Sequence, residues 1–128
     1  MKNIYRMLSA ALLCLCALMV SAQNIDTTGL QKNENGTIGF ARVADAKMAD
    51  AENFLKTALH ATVNDSFALI NEITDELGMV HRRYQQYYKG IVVENIQYLL
   101  HGRNAGIETM NGDFQIVNIA SVAPAISE

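Results

Sequence analysis

Cysteine is confined to Cys14 and Cys16. Both lie in the leading apolar run, so the rest of the chain can form neither a disulfide nor a thiolate site, and its stability has to come from packing. No His-Glu-x-x-His helix occurs, which excludes the paired imidazoles and general base of that kind of zinc centre. His60, His81 and His101 are the only imidazoles. His60 is expected to be a solvated helix end and His81 a hydrogen-bonded sheet residue, with no metal ligand and no cofactor among the three. No Gly-x-Ser-x-Gly elbow arranges the serines, so no catalytic residue is assigned. Basic residues are scarce as well. Ten stand against 13 acidic residues, and without Lys2 and Arg6 the balance is 10 − 2 = 8 against 13, a net charge of −5. Nucleic acid and anionic membrane surfaces, both of which select a basic face, are therefore disfavoured as partners.

What is present begins with an address. Lys2 and Arg6 flank a charge-free apolar run from Met7 to Val20, closing on Val20-Ser21-Ala22. This is the layout of a signal peptide over residues 1–22 with cleavage after Ala22. The run is shorter than the roughly 20 residues that span a bilayer, and no second one follows, so stable membrane insertion is not expected. Export places the chain in the periplasm or outside the cell. The remaining 106 of 128 residues suit one domain with one modest core.

Residues 23–44 are mostly polar, with Gly29, Gly36 and Gly39 scattered among them, and they keep no period. An irregular lead-in is expected there, with one short strand around Thr37 to Val43. From Asp45 to Ala61, Met48, Ala51, Phe54, Leu55, Ala58 and Leu59 recur at helical spacing. The pattern predicts an amphipathic helix with Asp45 as N-cap, a Glu52–Lys56 pair and His60 in the last turn. Asn64-Asp65-Ser66 marks its stop.

Beyond lie five strand patterns: Phe67 to Asp75, Val80 to Tyr88, Ile91 to His101, Ile107 to Asn111 and Phe114 to Val122. The breaks between them are short, which favours antiparallel hairpins. The expected fold class is α+β, an antiparallel meander on one helix, with the domain covering residues 45–122. A tight turn at Lys89-Gly90 predicts Tyr87 opposite Val92, Gln85 opposite Glu94 and Arg83 opposite Ile96, with Glu94 able to pair with Arg83. Asn35-Gly36-Thr37 and Asn64-Asp65-Ser66 match the glycosylation sequon but are read as turns.

Within the second hairpin, Gly78-Met79-Val80-His81-Arg82-Arg83-Tyr84-Gln85-Gln86-Tyr87-Tyr88-Lys89-Gly90-Ile91-Val92-Val93 resembles the signature of the fungalysin/thermolysin propeptide domain. His81, Arg83, Tyr84, Gln86, Tyr88, Gly90, Ile91 and Val93 occupy its fixed positions. The likeness continues through Leu99-Leu100-His101 to Ile107-Glu108-Thr109-Met110-Asn111-Gly112. Val92 stands where the family usually has proline, and Glu94-Asn95 where it has an aromatic-glycine pair. The resemblance implies a non-catalytic domain that assists folding of a thermolysin-like zinc metallopeptidase and holds it inactive. Its partner would be the cognate catalytic domain, in cis or in trans.

Two readings of the signature residues stand side by side. Arg83, Gln85 and Gln86 form either an ordinary polar sheet face or a docking surface for the protease. Tyr84, Tyr87 and Tyr88 are either interface anchors or core. Residues 123–128, through Pro124 to Ser127-Glu128, look like the start of a further helix, and from them a truncated precursor is expected. The competing functional reading is a free-standing secreted binding module with the same fold.

Overall fold

The computed structural model describes residues 24–122, so the expected signal segment with its Ala22 cleavage site, and residues 123–128, lie outside the described residues. Six strands form a single antiparallel sheet: β1 (Asn24–Lys32), β2 (Ile38–Lys47), β3 (Asp65–Thr74), β4 (Val80–Tyr88), β5 (Ile91–Gly102) and β6 (Gly106–Gly112). Between β2 and β3 come a 3-10 turn (Met48–Asp50) and the helix α1 (Ala51–Ala58). The sheet order is β1-β2-β6-β5-β4-β3. The expected α+β meander is thus β3 to β6, joined along β6 to a hairpin of β1 and β2.

The lead-in is not irregular. Its glycines fall where the β1–β2 hairpin bends: the register shifts between Asp26 and Gln31, with Gly29 at φ 82°, and Asn33 closes the turn by bonding Thr37 and Gly36 through its backbone. A strand carrying a bulge loses its period of two, which hides it from a pattern search.

α1 is shorter than its periodicity suggests. Ala46 and Lys47 remain paired with Ile107 and Gly106 of β6, and Asp45 sits in a bulge at φ 59° instead of capping a helix. Met48 is buried from the 3-10 turn, so its apolar character serves the core without helical geometry. Ala51, Phe54, Leu55 and Ala58 do line the buried stripe, and Glu52 and Lys56 pair at 2.9 Å. At the C-terminus, Ala61 N–H bonds the Lys56 carbonyl (2.9 Å) and His60 N–H bonds that of Thr57 (3.2 Å), with His60 at φ 52°. This is a Schellman stop. His60 is therefore the left-handed residue just past the helix, not a cation in its last turn.

The last expected strand, Phe114 to Val122, is also absent. β6 already has β5 on one flank and β2 on the other, so the chain leaving it finds no free edge beside it. It crosses the strands on the face that carries α1. There Phe114 is buried against Phe67, ring centroids 6.0 Å apart, in a core that includes Phe54, Leu55, Tyr84, Tyr98, Leu100 and Met110.

Candidate functional site

The residues singled out from the sequence converge on β4 and its neighbours. Alternation along a strand divides them between two faces. Tyr84, Gln86 and Tyr88 point toward α1 and are buried, at 4%, 1% and 6% exposure. His81, Arg83, Gln85 and Tyr87 occupy the opposite face, which no second layer covers among the described residues.

On the helix side, Gln86 spends its whole amide. Its Nε2 donates to Asp65 Oδ1 and to the Gln115 carbonyl, both at 2.9 Å, while its Oε1 accepts the Gln115 N–H at 3.0 Å. The side chain thereby acts as one more stretch of strand for a segment that has no ladder of its own. Asp65, also buried, accepts from the Thr62 backbone and hydroxyl (2.9 and 2.7 Å), fixing the corner between α1 and β3. One turn further along, Lys89 Nζ reaches the Ile119 and Ala120 carbonyls at 3.0 and 3.1 Å. Arg82, which shares this face, bridges Glu72 of β3 and the Met48 carbonyl, each at 2.5 Å. Tyr98 of β5 hydrogen-bonds the Ile38 carbonyl of β2, and burial pushes its hydroxyl pKa well above the ordinary value.

On the open side, Gln85 holds a bulge. Tyr88 faces Ile91 and Tyr87 faces Val92 across a turn in which Lys89 (φ 48°) and Gly90 (φ 78°) are both left-handed, the I′ geometry that hairpins favour. The register then jumps, so that Gln85 faces Gln97 and Arg83 faces Leu99. The expected Gln85–Glu94 and Arg83–Ile96 oppositions are overturned, and with them the Arg83–Glu94 pair. Tyr87 opposite Val92 is as expected. Arg83 instead lies 3.5 Å from Gln97 Oε1. The bulge strands the Val93 and Ile96 carbonyls, and the Gln85 Nε2 covers them at 2.7 and 3.0 Å. Asn95, inside the bulge, adopts φ 61°. That conformation suits glycine best and asparagine next. Asn95 holds the position where the signature has glycine, so the departure keeps the backbone.

His81 and His101 complete the open side. They face each other across the β4–β5 ladder with Nδ1 atoms 2.6 Å apart. His101 Nε2 lies 2.7 Å from Asn111 Oδ1, and His81 Nε2 lies 3.3 Å from Asp75 Oδ2. The Met79 backbone N–H, and to a lesser degree His81, hold the Asp75 carboxyl below its ordinary pKa; the same carboxylate also accepts from Leu77 and so closes the β3–β4 turn. Gly112 follows at φ 149°, where a Cβ would come within 2.4 Å of the Gln97 carbonyl oxygen. Only glycine lets β6 end so close to β5.

Residues 65–114, 50 of the 128 in the chain, match the family model described as the Fungalysin/Thermolysin Propeptide Motif. The meander carries that motif. Its span begins at the buried Asp65, the first residue of β3, and ends at the buried Phe114, so the propeptide motif comprises β3 to β6 and the start of the crossing segment. No curated protein and no solved structure matches the chain.

Within the propeptide motif, Tyr84, Gln86 and Tyr88 are core residues. Gly90 makes the turn, Ile91 pairs with Tyr88 beside it, Val93 opens the bulge, Asn111 holds His101, and Arg83 is exposed. Sequence reasoning missed Asp65, read only as part of a helix stop, and Arg82, which falls between signature positions. A buried aspartate leaves no periodic trace, although its place directly after a turn was a usable signal.

Two other features bear on function. A cavity of about 450 Å³ lies between α1, the β1–β2 hairpin and the crossing segment, lined by Ile25, Leu30, Ile38, Leu59, Phe114 and Ile116 among others. Its one buried polar side chain, Asp65, is already committed to Thr62 and Gln86. Among the described residues, no helix is long and apolar enough to cross a membrane, and no group of three or more His, Cys, Asp or Glu could hold a metal ion.

Proposed function

We propose that this chain is a non-catalytic propeptide domain that assists the folding of a secreted thermolysin-like zinc metallopeptidase and keeps it inactive. The coincidence of the family match with one structural unit carries this reading: residues 65–114 are the whole β3–β6 meander and the start of the crossing segment. A propeptide that templates folding needs a stable sheet with a surface left for its client. The open face offers one, with exposed Arg83 and half-buried Tyr87 on β4, Leu99 on β5 and Phe40 on β2. Tyr84, Gln86 and Tyr88 are buried and serve this surface from behind. Arg83 would be the direct contact, suited to a carboxylate or carbonyl on the catalytic domain.

The test adds the purified chain to an active thermolysin-like protease and, separately, to a refolding reaction of its catalytic domain. Slower peptide hydrolysis or a higher refolded yield is expected, and Arg83→Ala should weaken the effect while leaving the fold intact. No effect on either reaction at micromolar concentration sinks the reading. Export is checked by N-terminal sequencing of the protein recovered outside the cytoplasm, which should begin at Gln23.

A further inference from the structure

His81 and His101 are more than a cross-strand pair. Their rings meet edge to face, centroids 4.9 Å apart and planes at 72°, which brings the two Nδ1 atoms to 2.6 Å. Each outer nitrogen already faces an oxygen acceptor, Asp75 Oδ2 for His81 and Asn111 Oδ1 for His101. A neutral imidazole carries one N–H. With that hydrogen on each Nε2, both Nδ1 atoms direct lone pairs at one another. In the structure one ring's Nδ1–H closes this gap as a hydrogen bond to the other Nδ1, and a metal ion can take the place of that shared proton once both rings carry their hydrogen on Nε2. An outer N–H given to a carboxylate or amide oxygen is also the arrangement that orients imidazoles toward a metal.

We propose that His81 and His101 form a two-imidazole site for a divalent transition-metal ion of the copper or zinc class, with both Nδ1 atoms as ligands. Water fills the remaining positions, since no third His, Cys, Asp or Glu joins the pair among the described residues. Nitrogen donors select these ions over magnesium or calcium, and copper(II) binds such donors most strongly. Two nitrogens on one tetrahedral ion, each about 2.0–2.1 Å from it, stand roughly 3.3 Å apart. The pair therefore opens by about 0.7 Å on loading, taking that metal–nitrogen distance. A small turn of either ring supplies this, because both imidazoles lie on the uncovered face and are only partly buried. Any proton held between the rings leaves to solvent as the ion enters. The bound ion would tie β4 to β5 and, through Asn111 and Asp75, to β6 and the β3–β4 turn. This inference does not depend on the propeptide reading.

The test titrates the purified chain, in a Cys14→Ser, Cys16→Ser background that removes the two thiols, with CuCl2 and with ZnCl2 at neutral pH. Calorimetry should give one ion per chain with Kd at or below roughly 0.1 mM. Electron paramagnetic resonance of the copper form should show superhyperfine splitting from two equivalent nitrogens. His81→Gln and His101→Gln should each abolish the tight site, while His60→Gln leaves it unchanged. Asn111→Ala, which keeps both ligands and frees only the outer nitrogen of His101, should weaken it about 10- to 100-fold. Far-ultraviolet circular dichroism confirms that each variant is folded. Absence of one-to-one binding, binding that survives His81→Gln in a folded protein, or a pair that exchanges a proton but ignores both metals would overturn the proposal.

Discussion

The two faces of β4 carry polar residues of the same kind and use them for opposite ends. Toward α1, Gln86 and Arg82 reach out of the sheet and bond backbone that has no ladder, at Gln115 and Met48. Toward the open side, Gln85, His81 and Arg83 bond within the sheet or at its own turns: the bulge carbonyls, the neighbouring histidine and Gln97. The first set assembles the domain by fastening what the strands cannot hold. The second set trims the sheet itself and leaves its surface available. A glutamine in a strand is therefore not a single kind of residue, and its neighbour one place along can have a different job.

The sharpest way to break this contrast is Gln86→Leu. It leaves the buried Asp65 Oδ1 without its partner and unties the partly buried backbone of Gln115, and should cost about 2–3 kcal/mol, since one unsatisfied buried group costs roughly 1–3 kcal/mol. Urea unfolding would measure it; a loss below about 1 kcal/mol, the net worth of one ordinary hydrogen bond, would deny the residue its fastening role. Gln85→Leu strips the Val93 and Ile96 carbonyls of their donor near the surface, where water can enter. The expected loss is about 1–2 kcal/mol by the same reckoning, with exchange of bulge amides rising before global unfolding.

Asn95 probes the bulge from the backbone side. Asn95→Val should destabilise by about 1–2 kcal/mol because a branched residue resists the left-handed region, whereas Asn95→Gly should fold at least as well. If the two variants unfold at the same urea concentration, the bulge conformation is wrong. Arg83→Ala is expected to change stability by less than about 0.5 kcal/mol, as exposed positions usually do, and to show its effect only in protease inhibition or refolding.

The smallest effect is a pH dependence. Burial raises the Tyr98 pKa, so the folded state holds that proton more tightly than the unfolded chain. Its contribution to stability is full below the ordinary tyrosine value of about 10 and is lost as pH rises beyond it. Alkaline titration should show Tyr98 ionising together with unfolding, and Tyr98→Phe should flatten the decline above that pH. An early, independent tyrosinate absorbance from Tyr98 would contradict its burial.

The sequence by itself determined the four strands of the meander, the apolar stripe of α1, the turn at Lys89-Gly90 and the family of the segment that contains them. Each depends on local chemistry: alternation, helical spacing, a Lys-Gly pair suited to a left-handed turn, and a run of fixed residues. Tertiary structure alone decided the rest. The strand expected around Thr37 to Val43 is part of β2, but its partner β1 stayed hidden because bulges erased the period, and Asp45–Lys47 joined β2 because β6 offered partners that a helix would have forgone. The stretch after Gly112 looked like a strand by composition, but both flanks of β6 were taken, and whether an edge is free is a property of the assembled sheet. The register beyond Tyr87 could not be read for the same kind of reason. A bulge is stabilised by a side chain, Gln85, whose reach to Val93 and Ile96 exists only once the strands are already side by side.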